Sequence, residues 1–262
     1  MRVTIFGLGE AGSLFAADLV AHEVPVAAYD PAPVATPKGV ERYNDSASAV
    51  AGADLVLALT AEADSVTAID QALGDIPPDA LYADLSTSAP AVKRELATRA
   101  ASRPLDFADV ALMATIPGRG LLAPALVSGS GADRYVALMS PLGVPVESVG
   151  GNAGDAALRK LLRSVMMKGL AALVIESMRA AAVAGLSDWL WRNMVDEITD
   201  ADEALLARLV RGTAPHAVRR LHEMEACLAL LESLGIEPVM TRATVENLRR
   251  IPNEGVPQLP AP

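Results

Sequence analysis

The chain of 262 residues contains one cysteine and is only 3% aromatic. A lone thiol, Cys227, has no partner within the chain, so no internal disulfide forms, and a reducing compartment is expected. Cys227 lies in an apolar helical pattern and reads as a core filler. Cations are in the minority: 22 Lys and Arg stand against 32 Asp and Glu, for a net charge of −10. The acids are spread along the chain. Phosphate contacts need clustered cations, so nucleic-acid binding is not expected. No apolar run approaches the roughly 18 residues of a membrane span. The apolar N-terminus is interrupted by Glu10 and Asp18, so neither a transmembrane helix nor a signal peptide is expected. A cytoplasmic protein without membrane contact follows. What the chain does have is a 52% hydrophobic composition, enough for one large domain or two modest ones.

The most informative stretch is the beginning. A Val-Thr-Ile-Phe strand runs into Gly7-Leu8-Gly9-Glu10-Ala11-Gly12, then a helical pattern, then a second strand closed by Asp30. Gly7 permits a tight turn, Gly9 lets the backbone approach a pyrophosphate, and Gly12 lets the helix pack on the strand. The helix N-terminus then faces the anion. A GxGxxG set between strand and helix, with a terminal acid on the next strand, is the context a dinucleotide site requires. A carboxylate at Asp30 accepts hydrogen bonds from the ribose hydroxyls of NAD and repels a 2′-phosphate. No Arg follows directly, and Lys38 is the next cation. NAD is expected as the preferred cofactor over NADP, with Lys38 or Arg42 as the residues able to reverse that choice.

Up to about residue 150, apolar strands alternate with helical segments. Strands are expected at 2–6, 25–29, 54–59, 80–84, 104–109, 124–128 and 144–148. Alternation of this kind predicts a parallel, doubly wound sheet. Thr60 follows a strand at the carboxyl edge, where ligands sit in such sheets. Ser128-Gly129-Ser130-Gly131 reads as the start of a helix. Beyond residue 150 the strands stop. One helix of about 30 residues is expected from Asp155, followed by shorter helical segments and a loose, proline-rich tail from Ile251 to Pro262. The fold class is therefore α/β, an N-terminal Rossmann domain (1–150) followed by an all-helical domain (151–262).

On the long helix, Lys160, Arg163, Ser164 and Lys168 share one face at 100° per residue, opposite an apolar face. No acid stands between Asp155 and Glu176. Cations without acidic neighbours suggest an anionic ligand. Their clustering eases loss of a lysine proton, which general acid–base catalysis needs. Further along, His216 and Arg220 share a helix face and, with Arg219, form a second basic cluster.

Three motifs together resemble the β-hydroxyacid dehydrogenases, which include 3-hydroxyisobutyrate and 6-phosphogluconate dehydrogenases. They are the glycine motif, Asp84-Leu85-Ser86-Thr87-Ser88-Ala89-Pro90, and Gly154-x-Ala156-x-x-x-Lys160. The resemblance implies a dehydrogenase in which Lys160 is the catalytic acid/base. Ser86 would lie beside cofactor and substrate, with Ser88 helping to position the substrate. The family's substrate-gripping Ser-Gly-Gly aligns with Met113-Ala114-Thr115, so that grip is absent. Arg163, Ser164 and Lys168, helped by His216 and Arg220, are expected to hold the anionic group instead. The resemblance also implies a homodimer formed through the helical domain. It leaves open imine reduction and a non-catalytic dinucleotide-binding role. No metal site is expected.

Overall fold

Val3 and Ile5 face one side of the chain's first strand, and Thr4 and Phe6 the other, because successive side chains of a strand alternate. That alternation builds two cores. In the computed structural model, which describes residues 1–260, the first unit spans Met1–Arg163 and the second begins at Ser164. In chain order the elements are β1 (Val3–Phe6), α1 (Glu10–Ala21), β2 (Val26–Tyr29), β3 (Glu41–Tyr43), α2 (Ser46–Val50), β4 (Leu55–Ala58), α3 (Glu62–Ala72), β5 (Leu81–Asp84), α4 (Pro90–Ala101), β6 (Asp106–Leu112), β7 (Ala125–Ser128), α5 (Ala132–Met139), β8 (Val146–Ser148) and α6 (Asp155–Val183). Then follow α7 (Ser187–Thr199), α8 (Glu203–Arg211), α9 (Ala217–Ser233) and α10 (Val239–Glu254).

The eight strands form one sheet in the order β3-β2-β1-β4-β5-β6-β7-β8. On one face Ile5, Leu55, Leu57 and Val110 pack with Phe15 and Leu19 of α1 and Tyr135 and Met139 of α5. On the other, Phe6, Val56, Tyr82 and Phe107 pack with Ile69 of α3 and Leu96 of α4. Each large buried side chain contributes about 2 kcal/mol over an exposed one. The chain moves outward from β1 through β2 to β3 and then crosses to β4 on the other side. The reversal leaves a crevice beyond the carboxyl ends of β1 and β4, the place such sheets offer a ligand.

Three details differ from the sequence expectation. β6 pairs with β7 antiparallel, so the sheet is mostly rather than wholly parallel. Between them stands only a short turn of helix, Gly120–Leu122, and a connection without a full crossover helix returns the chain in the opposite direction. β3 is an edge strand too short for its alternation to register in the sequence. The start of the expected loose tail is helical: α10 runs on through Ile251 and Pro252 to Glu254. Residues 261 and 262 of that tail lie outside the described residues.

The segment after β6 is fastened at two points. Met113 N–H donates to Pro124 O (2.7 Å). Leu121 N–H donates to Asp18 Oδ2 on α1 (2.7 Å). Gly120 lies at φ +53°, and a Cβ there would stand 1.9 Å from the same Asp18 oxygen.

The helices of the second unit leave much apolar surface exposed. Val165, Met166 and Ile175 of α6, Trp189, Trp191 and Ile198 of α7, and Leu206 and Leu209 of α8 are all more than half exposed. Within the unit, Glu176 of α6 is buried and caps the start of α10. It accepts from Met240 N–H (2.8 Å), Thr241 N–H (2.8 Å) and Thr241 Oγ1 (2.7 Å). Burial works to raise its carboxyl, but these hydrogen bonds outweigh burial and hold it below the usual range. Among the described residues, no helix is long and apolar enough to cross a membrane.

Candidate functional site

Gly9 precedes the first turn of α1, with its φ and ψ in the extended region, and Ser13 N–H bonds to its carbonyl at 2.9 Å. The close approach that makes glycine necessary is at Gly12. A Cβ there would lie 1.8 Å from Gly7 O, inside the turn that joins β1 to the helix. A Cβ on Gly9 would meet nothing within 4 Å, so that position opens outward. Leu8 turns into the core, Ala11 is half-buried, and Glu10 is exposed on the first turn.

Next to this turn lies a cleft of about 370 Å³, lined by Gly7, Gly9, Asp30, Pro31, Thr60 and Asp64 among others. Its α3 wall also includes Thr67, Ala68 and Gln71. Nothing in the sequence marks that wall, because helix residues with ordinary polar and small side chains carry no motif. Asp30 Oδ2 accepts from Leu8 N–H (2.6 Å) and Oδ1 from Ala32 N–H (2.8 Å). The carboxylate thus ties the glycine turn to the loop after β2. Thr60 Oγ1 is buried with no hydrogen-bond partner among the described residues. A polar atom in that state needs a partner, which a bound ligand or a water in the cleft can supply. The glycine turn, Asp30 and the unsatisfied Thr60 hydroxyl all fit a dinucleotide.

Arg42 of β3 is engaged elsewhere. Its guanidinium donates to the carbonyls of Asp30 (2.9 Å), Ala32 (2.5 Å) and Val34. It braces the loop that borders the cleft. Lys38 is exposed.

A second group of residues gathers at the carboxyl ends of β5 and β6. Lys160 Nζ bonds to Thr87 Oγ1 at 2.9 Å. The two flanking serines do not face outward. Ser86 is 5% and Ser88 3% exposed, and their hydroxyls bond to each other at 2.7 Å. Ser86 Oγ donates to Asp84 Oδ1 at 2.5 Å. Alternation just beyond a strand sends neighbouring side chains to opposite sides, so Thr87 is the hydroxyl presented to Lys160. Ser86 and Ser88, the residues expected here from the motif, are thus turned inward, and Thr87 between them is the one exposed. Tyr82, two residues before Asp84 on β5, is kept protonated by burial and by the nearby Asp84 charge.

Beneath this row, Lys93 of α4 lies between two buried carboxylates. Its ammonium bonds to Asp84 Oδ1 and to Asp84 O (3.0 Å), and lies 3.5 Å from Asp109 Oδ1. Asp109 Oδ2 accepts from Ser128 Oγ (3.1 Å), Gly154 N–H (3.0 Å) and Ala157 N–H (3.1 Å). Ser128 Oγ in turn accepts from Ala156 N–H (3.0 Å). The first turn of α6 is thereby fastened to β6 and β7. Lys93 carried no motif signal in the sequence, since an isolated lysine is normally a surface residue, and Ser128 stood out only as part of the helix start Ser128-Gly129-Ser130-Gly131.

Arg163, one turn after Lys160, donates to Met113 O at 2.9 Å. It therefore reaches the end of β6, where the Ser-Gly-Gly grip is missing. Ser164 and Lys168 lie further along α6. In the second unit, Arg220 donates to Thr213 Oγ1 and Arg219 pairs with Glu223 at 3.4 Å. His216 ends a short helical turn before α9. Arg220 is thus already engaged by the α8–α9 connection.

Comparison with known proteins agrees with this layout. Residues 2–115 match the NAD binding domain of 6-phosphogluconate dehydrogenase, and residues 181–251 match a domain of unknown function, DUF1932. An uncharacterised 28.5 kDa protein in the 7S RNA 5′ region of Methanothermus fervidus is 26% identical over 258 residues, covering 96% of this chain and 99% of the relative. A conserved hypothetical protein from Sinorhizobium meliloti 1021 superposes with a TM-score of 0.62 at 28% identity, over 98% of this chain and 91% of that one. The imine reductase from Myxococcus stipitatus in complex with NADP+ superposes with a TM-score of 0.81 at 20% identity, over 98% and 96%. At that identity the likeness is one of fold. The glycine turn, the cleft and the matched residues lead to one conclusion: residues 2–115 form a dinucleotide-binding domain similar to the NAD binding domain of 6-phosphogluconate dehydrogenase, in a chain whose helical C-terminal part matches DUF1932.

Proposed function

We propose that this protein is an NAD(P)-dependent oxidoreductase that oxidises the hydroxyl of a small anionic 3-hydroxy acid, or reduces the corresponding oxo acid. The observation that carries the reading is the meeting of Lys160 Nζ with Thr87 Oγ1 at 2.9 Å, at the carboxyl ends of β5 and β6. The nicotinamide, when bound, accepts or supplies the hydride. The proton of the hydroxyl must then go to a protein group, and Lys160 Nζ is the group placed to take it, with Thr87 Oγ1 orienting it. The buried Ser86–Ser88 pair fixes the turn that carries Thr87. Arg163, drawn to Met113 O, stands where an anionic group of the substrate would lie, and Ser164 and Lys168 extend the same helix face.

NAD is the preferred cofactor in this reading. Asp30 places a carboxylate at the cleft, and Arg42 is turned onto backbone carbonyls instead of toward a 2′-phosphate. Apolar side chains exposed along α6, α7 and α8 support a homodimer formed through the helical part. The single cysteine fits a cytoplasmic setting.

The test is a screen of hydroxy acids, phosphorylated and not, followed by NADH fluorescence, with amine–ketone pairs in a parallel arm. Lys160→Met should lower kcat by about 100-fold or more, the weight of general acid–base catalysis, and leave NADH affinity within a few-fold. Undiminished turnover in Lys160→Met would remove the assigned role. Turnover confined to imines would transfer the chain to the imine reductases, the class of the Myxococcus structure. Tight NADH binding without any turnover would favour a non-catalytic role.

A further inference from the structure

We infer that Lys93 is a positioning residue for Lys160, acting through two buried carboxylates; the inference rests on the reading of Lys160 as the proton-transfer group. Lys93 is 1% exposed, and Asp84 and Asp109 are fully buried. Burying three ionic groups is costly, and an apolar trio of the same volume would pack as well or better. Their arrangement gives a reason for keeping them. Each carboxylate leads from Lys93 to one side of the Lys160 contact.

The Asp84 branch runs from the Lys93 ammonium to Asp84 Oδ1, to Ser86 Oγ and to Ser88 Oγ. These bonds set the turn on which Thr87 stands. The Asp109 branch runs from Lys93 to Asp109, whose Oδ2 receives the N–H groups of Gly154 and Ala157 and the hydroxyl of Ser128. A carboxylate at a helix N-terminus satisfies donors that the helix leaves open and faces the positive end of its dipole. Ala156 and Ala157 precede Lys160 by one turn and lie on its side of α6. The two branches therefore close a ring that meets at Lys160 Nζ and Thr87 Oγ1. With Lys93 removed, two buried carboxylates face each other with nothing between them, and both branches are released together.

The experiment reads the position of Lys160 without requiring turnover. The full-length protein is acetylated at neutral pH with a trace of acetic anhydride, and the four lysines, Lys38, Lys93, Lys160 and Lys168, are quantified by peptide mass spectrometry. Lys38 and Lys168 are exposed and serve as references. In Lys93→Met the acetylation of Lys160 relative to Lys38 should rise about fivefold, the weight of one hydrogen bond of about 1 kcal/mol. The ratio of Lys168 to Lys38 should stay unchanged, and so should NADH binding. An unchanged Lys160 ratio in a variant that still binds NADH would overturn the inference. A rise shared by all lysines would mark general loosening and would also overturn it. If Lys93→Met does not fold, Ser128→Ala decides the matter. It removes the hydroxyl that links Asp109 Oδ2 to Ala156 N–H, and a selective rise at Lys160 supports the inference while no rise defeats it. Because labelling needs no substrate, a failed activity screen leaves this result standing on its own.

Discussion

Truncating Glu176 should destabilise the second unit through one identifiable set of bonds. In Glu176→Ala, the N–H groups of Met240 and Thr241 and the Thr241 hydroxyl lose their shared acceptor. Glu176 and Thr241 are each 8% exposed, so water replaces the carboxylate poorly. A stranded buried donor costs about 1–3 kcal/mol, and water reaching the new space recovers part of that. Loss of an N-terminal cap costs about 0.5–2 kcal/mol on its own. Together these give about 3 kcal/mol for Ala. For Glu176→Gln, which keeps an acceptor oxygen, the figure is about half that. Both tryptophans, Trp189 and Trp191, stand on α7 in this unit, so urea unfolding followed by tryptophan fluorescence reports it directly. The pH dependence is a second check. The folded-state carboxyl lies below its ordinary 4.5. Its ionised form therefore contributes stability that is complete above that value and fades as pH falls through the lowered folded-state value. The advantage of wild type over Glu176→Gln should be full at neutral pH and shrink in acid. A loss below about 0.5 kcal/mol for Glu176→Ala, within the range of ordinary surface changes, would refute the capping argument. So would a wild-type advantage that grows on acidification.

Other outcomes follow from the cleft and the helices. Asp30→Ala should weaken NADH binding and shift the NADH-to-NADPH affinity ratio about tenfold toward NADPH, as expected from about 1.4 kcal/mol of lost charge-assisted bonding and removed repulsion; a fluorescence titration with both cofactors checks it, and an unmoved ratio counts against Asp30 as the selector. Gly12→Ala should abolish NADH binding or folding, since its Cβ would lie 1.8 Å from Gly7 O; an isothermal titration showing wild-type affinity would contradict the close approach. Sedimentation velocity should show a dimer, and Val165→Glu, at a position 74% exposed on α6, should shift it toward monomer; a wild-type monomer at micromolar concentration would dismiss the assembly.

Much of the nucleotide-binding unit could be read before any coordinates. Strand, glycine turn, helix and terminal acid are local signals, and Gly7 to Asp30 occupy the places their spacing implies. The cationic stripe that includes Lys160 stood out in the sequence because an acid-free stripe on an apolar helix is unusual. Other features depended on partners distant in sequence. Lys93 is a single lysine on an ordinary amphipathic helix until folding sets it between Asp84 and Asp109. Thr87 and its neighbouring serines differ only in which way the chain turns after β5. The antiparallel β7 depended on the absence of a crossover helix, which is difficult to read in a short Gly- and Pro-containing segment. Arg42 could be named as a risk to cofactor choice, but its engagement with three carbonyls needed the loop after β2 to close around it.

The double fastening of the segment after β6 bears on how such a site diversifies. Asp18 on α1 grips Leu121, and a side chain at Gly120, which lies at positive φ, would push that oxygen off its bond. One end of the segment is fixed by Met113 and Pro124, and the other by the helix that begins at the glycine turn. Variation is left to the short arc from Ala114 to Arg119. Relatives that keep an acid at position 18 and a glycine at position 120 would then share a loop frame while differing in what the arc presents. A change of chemistry along this lineage would be written in a handful of adjacent codons, without disturbing the sheet beneath them.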